Sequence, residues 1–311
     1  MSEAAADPPL RLAVVGARRV RHGTGPFLAR HAAAAGAELC AVWGTSADSA
    51  GEAAAALSAE IGRDLPAYRD WQRLVAETHP EAVILAGPRP THAAWLESAL
   101  RSGLHTLCEK PLAAGRDPAE LARDFAVRGL VLAENCQWPF TLAAFHRLHP
   151  EIQLDRVDRF SMLLTPAHEG RERWLELLSH PISLLQAVAP GPAELDRIRF
   201  HDASRLTFLW LTAGRAISCE VRAEPSAEWP RPAGYALDGA LLRRRIEQPG
   251  YRISFTDGAG GVVADADPTP LCVAEFLVRA RRARARAAAP VDENLVRRQR
   301  LFDRILEAWP G

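Results

Sequence analysis

The chain has 311 residues, of which 48% are hydrophobic and 24% charged, a composition typical of soluble globular proteins. Its 38 basic residues balance its 38 acidic residues, which argues against nucleic acid or an anionic membrane as the main partner. No apolar run reaches the ~18 residues of a transmembrane helix, and the first residues lack the pattern of a secretory signal. We therefore expect a cytoplasmic protein, and the length favours two domains.

The five cysteines are scattered and form no Cys-x-x-Cys pair. This spacing suggests neither a disulfide framework nor a zinc site, and no other metal site is expected. Four of them, Cys40, Cys108, Cys136 and Cys219, lie in or beside apolar runs. We interpret these as buried thiols in a reducing compartment.

Strands and helices alternate in the first half of the chain. Strands are predicted at 10–16, 38–43, 81–86, 104–108 and 130–134. Helices are predicted at 26–35, 48–61, 70–76, 91–102 and 117–128, with Asp48 capping the second of them. This alternation predicts an α/β Rossmann-type domain with a doubly wound parallel sheet. Ligands bind at the carboxyl ends of such strands, where Gly16 and Lys110 fall.

The second half changes to strands joined by short turns. A helix is predicted at 171–189, and strands at 197–201, 205–213, 216–223, 235–247 and 250–256. Helices at 269–287 and 292–308 close the chain. We therefore predict an α+β C-terminal domain with a mainly antiparallel open sheet. The predicted domains are 1–138, which would bind a dinucleotide, and 139–311, which would bind substrate and support dimerisation.

Two groups of side chains in the second half have both a structural and a functional interpretation. A run of arginines in the penultimate helix favours a solvated helix face over a nucleic-acid site, because no aromatic residues interrupt it: Arg279, Arg281, Arg282, Arg284 and Arg286. Three tryptophans could line a ring-binding pocket, although core positions are the stronger interpretation: Trp174, Trp210 and Trp229.

Lys110 is the only lysine, and the other 37 of the 38 basic residues are arginine. Arginine stays protonated near neutral pH, whereas the pKa of a lysine falls readily on burial or beside another charge. A position that keeps lysine in such a composition suggests acid–base chemistry, or a site where only a compact ammonium fits. The alternative is that Lys110 has no special role and was kept by chance in an arginine-rich composition.

The loop after the first strand departs from the Gly-x-Gly-x-x-Gly pattern that brings a pyrophosphate to a helix N-terminus. Gly16 is in place, but Arg18 and Arg21 occupy the next two glycine positions. We expect a longer loop in which Gly23, Thr24 and Gly25 approach the phosphates and Pro26 opens the helix. The alternative is a loop that no longer binds a dinucleotide.

The end of the second strand lacks the acid that binds the ribose 2′-hydroxyl in NAD enzymes. Thr45 and Ser46 offer hydroxyls there instead, and Arg18 and Arg19 lie on the neighbouring loop. Hydroxyls and guanidinium groups suit a 2′-phosphate, which a carboxylate would repel. This favours NADP over NAD.

Several segments resemble the glucose–fructose oxidoreductase/inositol dehydrogenase (Gfo/Idh/MocA) family. They are 84–88, Thr91-His92, the run 99–112 with Glu109-Lys110-Pro111, Glu134-Asn135, Trp138-Pro139 and 175–185. The resemblance implies a nicotinamide-dependent oxidoreductase with cofactor contacts from Gly87, Pro88, His92, Glu109 and Lys110. It implies proton transfer by Lys110, an acid–base role for His180, a cis Lys–Pro bond and a homodimer.

The segment around His180 agrees with this role but departs from the family pattern at three places. Ser179 as N-cap and Pro181 at or near the first turn are typical of a helix start, which would hold His180 on a defined corner. The ordinary pKa of a histidine suits a general base. Glu176 replaces the usual Asp and would orient a catalytic group. Leu178 replaces a Gly, and Ser183 replaces a second Asp, so one carboxylate is lost.

These observations predict hydride transfer between a nicotinamide cofactor, NADP in preference to NAD, and a carbinol or carbonyl carbon of a sugar-like or cyclic small molecule. Two alternatives stay open. One is a non-catalytic regulatory protein that binds the dinucleotide as a ligand, which the altered glycine loop favours. The other is an imine or enone reductase, in which proton delivery would differ.

Overall fold

The computed structural model describes residues 8–18, 23–113, 115–248 and 251–310, which form two compact units. The first unit comprises Met1–Asn135 and Thr269–Asp292, and the second comprises Cys136–Pro268 and Glu293–Gly311. The sequence analysis had placed 269–292 in the second domain. The helix there joins the first unit because its apolar residues belong to the core of that unit: Val273, Phe276, Leu277 and Ala280.

A six-stranded parallel sheet forms the centre of the first unit, with strand order β3-β2-β1-β4-β5-β6. The strands are β1 (Arg11–Val15), β2 (Glu38–Trp43), β3 (Ala67–Tyr68), β4 (Ala82–Leu85), β5 (His105–Cys108) and β6 (Leu132–Glu134). The helices are α1 (Gly25–Ala34), α2 (Ala47–Ile61), α3 (Trp71–Thr78), α4 (His92–Ser102), α5 (Pro118–Val127) and, late in the chain, α9 (Thr269–Arg286). The predicted doubly wound parallel sheet is confirmed, and only the two-residue β3 was missed.

Continuous burial of the central strands explains why the sequence predicted this sheet well. Every residue of β4 and β5 is buried, as a strand covered on both faces requires. Gly103 and Gly62 end α4 and α2 with a positive φ, the backbone conformation that glycine adopts most easily. Apolar runs bounded by such residues are strong sequence signals.

An eight-stranded sheet forms the second unit, with strand order β14-β13-β12-β11-β7-β10-β9-β8. The strands are β7 (Arg159–Leu164), β8 (Ala193–Phe200), β9 (Arg205–Thr212), β10 (Arg215–Ala223), β11 (Gly234–Leu237), β12 (Ala240–Glu247), β13 (Arg252–Thr256) and β14 (Val262–Val263). The helices are α6 (Leu142–Leu148), α7 (Gly170–Leu177), α8 (Ser179–Val188) and α10 (Glu293–Glu307). Only β7 and β10 pair in parallel, so the mainly antiparallel sheet is confirmed.

Three local predictions for this unit were wrong. The segment 159–164 was not assigned, yet its alternating burial makes it the central strand β7. The single strand 235–247 is a hairpin, because Asp238 and Gly239 form a turn with positive φ. The single helix 171–189 consists of α7 and α8, which meet at Leu178.

The arginine run is more than a solvated face, because three of its members bind other parts of the first unit. Arg279 pairs with Asp292, Arg284 pairs with Glu81, and Arg281 donates to the Gly36 carbonyl. Of the three tryptophans, Trp174 and Trp210 are buried core residues, as expected, but Trp229 is exposed.

All five cysteines are free and buried. Among the described residues, no cluster of side chains could hold a metal ion, and no helix is both long and apolar enough to cross a membrane.

Candidate active site

The turn after β1 brings the glycine loop close to the neighbouring strand. Gly16 has φ +83°, and a Cβ there would lie 2.7 Å from the carbonyl carbon of Ala86, just beyond β4. No side chain larger than hydrogen fits, so the backbone itself forms the surface at the carboxyl end of β1. This is the part of a doubly wound sheet where a dinucleotide approaches.

Gly25 allows the close approach of backbone segments that the glycines of the Gly-x-Gly-x-x-Gly pattern usually allow. It is the first residue of α1, and a Cβ on it would overlap the carbonyl oxygen of Gly16. Thr24 is the N-cap residue but forms no side-chain cap, Pro26 lies in the first turn, and no acidic residue competes there. The first N–H groups of α1 are therefore suited to an anion. Gly23, Thr24 and Gly25 lie where the sequence placed them, whereas Arg19 and Arg21 lie outside the described residues.

A hydrogen-bonded carboxylate links this loop to the Glu-Lys-Pro segment. Oε1 of Glu109 accepts from the Thr24 hydroxyl and, at 2.6 Å, from Nδ2 of Asn135. Its Oε2 accepts from the backbone N–H of Lys110 at 3.2 Å. The ends of β5 and β6 and the start of α1 are thus joined through one side chain, beside the only lysine.

The turn that carries Lys110 is held from the other side as well. The Lys110–Pro111 bond is cis, as the resemblance implied, and Oε1 of the buried Glu134 accepts from the N–H of Leu112 at 3.1 Å. Cys108 precedes this turn, and burial raises the pKa of its thiol well above the usual value. We infer that Cys108 is a core residue and not a nucleophile.

His92 contacts the backbone of two loops. Its Nδ1 lies 2.9 Å from the Pro111 carbonyl oxygen, and its Nε2 lies 3.0 Å from that of Gly87. The ring is 1% exposed, so both nitrogens are committed within the protein. His92 therefore connects the Lys110–Pro111 turn to the loop after β4. Its predicted contact with the cofactor stays a prediction. In that same loop, the Pro88 carbonyl accepts from the Thr91 hydroxyl at 2.7 Å.

The end of β2 differs from the sequence prediction in its capping residue. Ser46 caps α2: its Oγ accepts from the N–H of Ser49 at 3.0 Å, and Ser49 returns the bond in a capping box. Asp48 lies in the first turn of α2 and is not its N-cap residue. Thr45 is exposed, and Arg18 pairs with Glu52 at 2.9 Å. Thr45 is thus exposed beside the end of β2, whereas Arg18 would have to leave Glu52 to bind a 2′-phosphate.

His180 lies in the first turn of α8 in the second unit. The N-cap of α8 is Leu178, in a helical conformation, so the predicted capping by Ser179 is wrong; α7 runs almost directly into α8. Pro181 falls in the first turn, where its missing N–H costs no hydrogen bond. The imidazole packs edge-on against Trp138, with ring centroids 6.2 Å apart.

The carboxylate four residues before His180 binds a neighbouring loop. Oε2 of Glu176 accepts from the N–H of Ala167 at 2.8 Å and lies 3.0 Å from Nδ1 of His168, while Oε1 lies 3.9 Å from Arg231. Ser183, where the family usually has Asp, donates to the His180 carbonyl at 2.9 Å. The serine hydroxyl is therefore used within the helix.

Comparisons with known proteins agree with this geometry. Residues 10–128 match the sequence profile described as "Oxidoreductase family, NAD-binding Rossmann fold" (GFO_IDH_MocA). Residues 10–128 of this chain are thus similar to the Rossmann-fold part of the Gfo/Idh/MocA family. The matched segment contains the glycine loop, His92 and the Glu109-Lys110-Pro111 turn.

Two curated relatives match parts of the chain. D-xylose 1-dehydrogenase (NADP(+)) 2 of Haloferax volcanii is 35% identical over 99 residues, which are 31% of this chain and 27% of that protein. The scyllo-inositol 2-dehydrogenase (NADP(+)) IolU of Bacillus subtilis is 30% identical over 154 residues, 49% of this chain and 44% of that protein. The matches thus span less than half the length of these relatives.

Solved structures match over nearly the whole chain. KijD10, a 3-ketoreductase from Actinomadura kijaniata solved with TDP-benzene and NADP, has a TM-score of 0.65 at 20% identity and covers 95% of this chain and 96% of its own. A dehydrogenase (MviM) from Clostridium difficile also has a TM-score of 0.65, at 12% identity, and covers 96% and 99%. At such identities the likeness shows a shared fold.

Proposed function

We propose that this protein is an NADP-dependent oxidoreductase that interconverts a hydroxyl and a carbonyl group on a sugar-like or cyclic small molecule. The observation that carries the proposal is the hydrogen-bonded connection from the α1 loop through Glu109 to the Lys110 turn. It places the one lysine beside a loop that suits a dinucleotide. The family match over residues 10–128 and the two curated relatives named as NADP(+)-dependent support the same assignment.

The described residues fit a dinucleotide. At Gly16 and Gly25 a Cβ would collide with backbone, so the loop presents main-chain groups at close range. The first turn of α1, with no acidic residue, would hold the pyrophosphate. Thr45 and Arg18 favour a 2′-phosphate over a bare ribose hydroxyl, although Glu52 competes for Arg18.

When bound, the nicotinamide supplies or accepts the hydride. Lys110 in the first unit would handle the proton of the substrate oxygen, as donor for reduction and as acceptor for oxidation, and His180 in the second unit is the other candidate for this role. The bonds from Glu109 and His92 would fix the backbone on either side of Lys110, which keeps its ammonium group in a defined place. Glu176, tied to His168 and Arg231, would stabilise the loop beside α7.

A non-catalytic dinucleotide-binding regulator is the second candidate. The observation in its favour is that Ser183, in place of a carboxylate, bonds the backbone carbonyl of His180. An imine or enone reductase would share the cofactor site but not depend on His180. We also propose a cytoplasmic location, with which five buried cysteines without a disulfide agree, and a homodimer or higher homo-oligomer, which rests on the resemblance alone.

The test is a fluorescence titration of the purified protein with NADPH and with NADH, followed by a screen of sugar carbonyls with the preferred cofactor. We expect saturable, tighter binding of NADPH. Lys110→Arg should keep NADPH binding and lower turnover by about 10²- to 10⁴-fold, because arginine retains the charge but cannot exchange a proton. Absence of binding by either dinucleotide would overturn the proposal, and binding without turnover of any carbonyl would favour the regulator.

A further inference from the structure

Arg244 occupies a core-facing position in the second unit. Along β12 the burial alternates, so Leu242, Arg244 and Ile246 face the core side of the sheet while Arg243 and Arg245 are exposed on the other side. Leu242 is fully buried, and Ile246 packs against the same core. An arginine in such a row needs a specific explanation, because burying a charge is costly.

The protein satisfies this guanidinium only in part. Nη2 of Arg244 donates to the carbonyl of Arg231 at 3.3 Å, whereas its Nε is buried and has no hydrogen-bond partner. No carboxylate among the described residues lies within salt-bridge distance of the group. Asp267 and Tyr251 are close enough to raise its pKa, but loss of hydration on burial dominates and lowers it. The side chain is half-buried, and Nε is the donor that is shut off from water without a partner.

The unsatisfied guanidinium lies close to the candidate proton-transfer residue of this unit. Its Cζ is 5.9 Å from the centre of the Trp138 ring, and the same ring packs edge-on against His180. Trp138 is itself held by an edge contact with Tyr235 and is 3% exposed, so its indole ring has a fixed position. Arg244 and His180 therefore both pack against one fixed indole.

We propose that Arg244 binds an anionic oxygen group, a carboxylate or a phosphate, on the substrate whose hydroxyl or carbonyl group reacts at His180. The inference rests on the proposed function, and it names the substrate class as an acidic sugar or sugar phosphate. The guanidinium fork matches two oxygens of either group, and such charge-assisted pairs are strongest where water is excluded. An anion would supply the counter-charge that the protein itself does not place within contact.

Replacement by methionine separates this role from a structural one. Methionine keeps an unbranched apolar side chain in the core row, and replacing an uncompensated buried charge by an apolar group is often neutral or stabilising. Arg244→Met should therefore leave the unfolding temperature unchanged or raise it. If Arg244 instead served to hold the Arg231 loop, the same change would lower it.

The experiment is isothermal titration of the full chain with D-glucuronate, D-glucose 6-phosphate and neutral D-glucose. We expect the native protein to bind at least one of the two anions about tenfold or more tightly than glucose, and the arm that binds identifies the anion. Arg244→Met should abolish this preference, Arg244→Lys should retain part of it, and Arg245→Met, on the exposed face of the same strand, should retain all of it.

Two results would overturn the proposal: a native protein that prefers neither anion over glucose, or an Arg244→Met variant that keeps the preference. A lower unfolding temperature of Arg244→Met, shared by Arg244→Lys but not by Arg245→Met, would assign a structural role instead. NADPH binding measured on the same samples distinguishes this failure from that of the proposed function, since the dinucleotide loop lies in the first unit.

Discussion

The candidate site of the first unit is formed mainly by backbone, whereas that of the second unit is formed by side chains. In the first unit the site consists of backbone brought close by Gly16 and Gly25 and fixed by buried hydrogen bonds of Glu109 and His92. In the second unit the candidate site consists of side chains, with Arg244 of β12 and His180 of α8 packed against Trp138. A backbone site tolerates little change in shape. A site made of side chains can alter its specificity by single substitutions while the fold remains.

Two glycine-to-alanine changes test whether the shape of the backbone matters in the first unit. Gly25→Ala should destabilise the protein by about 3 kcal/mol and abolish NADPH binding, because its Cβ would overlap the Gly16 carbonyl. Gly51 lies in the middle of α2 with nothing within 4 Å of its would-be Cβ, so Gly51→Ala should stabilise by about 0.5–1 kcal/mol. Chemical denaturation and NADPH titration measure both effects. Normal NADPH binding by Gly25→Ala would show that the loop can adapt.

A buried histidine should make the first unit sensitive to acid. Burial lowers the pKa of His105 from 6.5 to about 4, and its Nδ1 accepts from the N–H of Val131. The unfolded chain takes up the proton first, so the stabilisation is complete above pH 6.5 and is lost as the pH falls towards 4. A shift of this size corresponds to at most about 3 kcal/mol.

Denaturation of the native protein and of His105→Asn between pH 7 and 4 isolates this effect. The asparagine oxygen can still accept from Val131, so the variant should lose less stability on acidification than the native protein. His146, exposed on α6, gives the matched control His146→Asn, which should follow the native curve. Parallel curves for His105→Asn and the native protein would contradict the prediction.

The sequence predicted the first unit nearly completely because its elements are bounded by local signals. Gly62 and Gly103 end helices with positive φ, and the buried runs between them are continuous. In the second unit, β7 pairs in parallel with β10, a partner more than fifty residues away, and no local signal marks such a pairing. The position of α9 in the first unit was likewise decided by distant packing of Phe276 and Leu277.

For the candidate site, the sequence indicated which side chains carry chemistry, but it did not indicate which residues those side chains contact. The lone Lys110 and the motif around His180 could be found in the sequence. That His92 lies between two backbone carbonyls depends on two loops distant in sequence. Arg244 was missed, although its signal was present: an arginine between Leu242 and Ile246 in an alternating strand breaks the apolar row.

The smallest predicted effect concerns the end of β2, where helix capping and cofactor recognition compete for the same residues. The hydroxyl of Ser46 is used in the capping box with Ser49, so Ser46→Ala should cost about 1 kcal/mol of stability and leave the preference for NADPH over NADH unchanged. Asp48→Ala, which removes only a favourable charge from the first turn, should cost about 0.5 kcal/mol. Thr45→Ala should do the opposite of Ser46→Ala, weakening NADPH binding without altering stability, because Thr45 is exposed. Denaturation of the three variants measures the loss of stability, and dinucleotide titration measures the preference for NADPH over NADH. A larger loss of NADPH affinity in Ser46→Ala than in Thr45→Ala would mean that the cap opens when the cofactor binds.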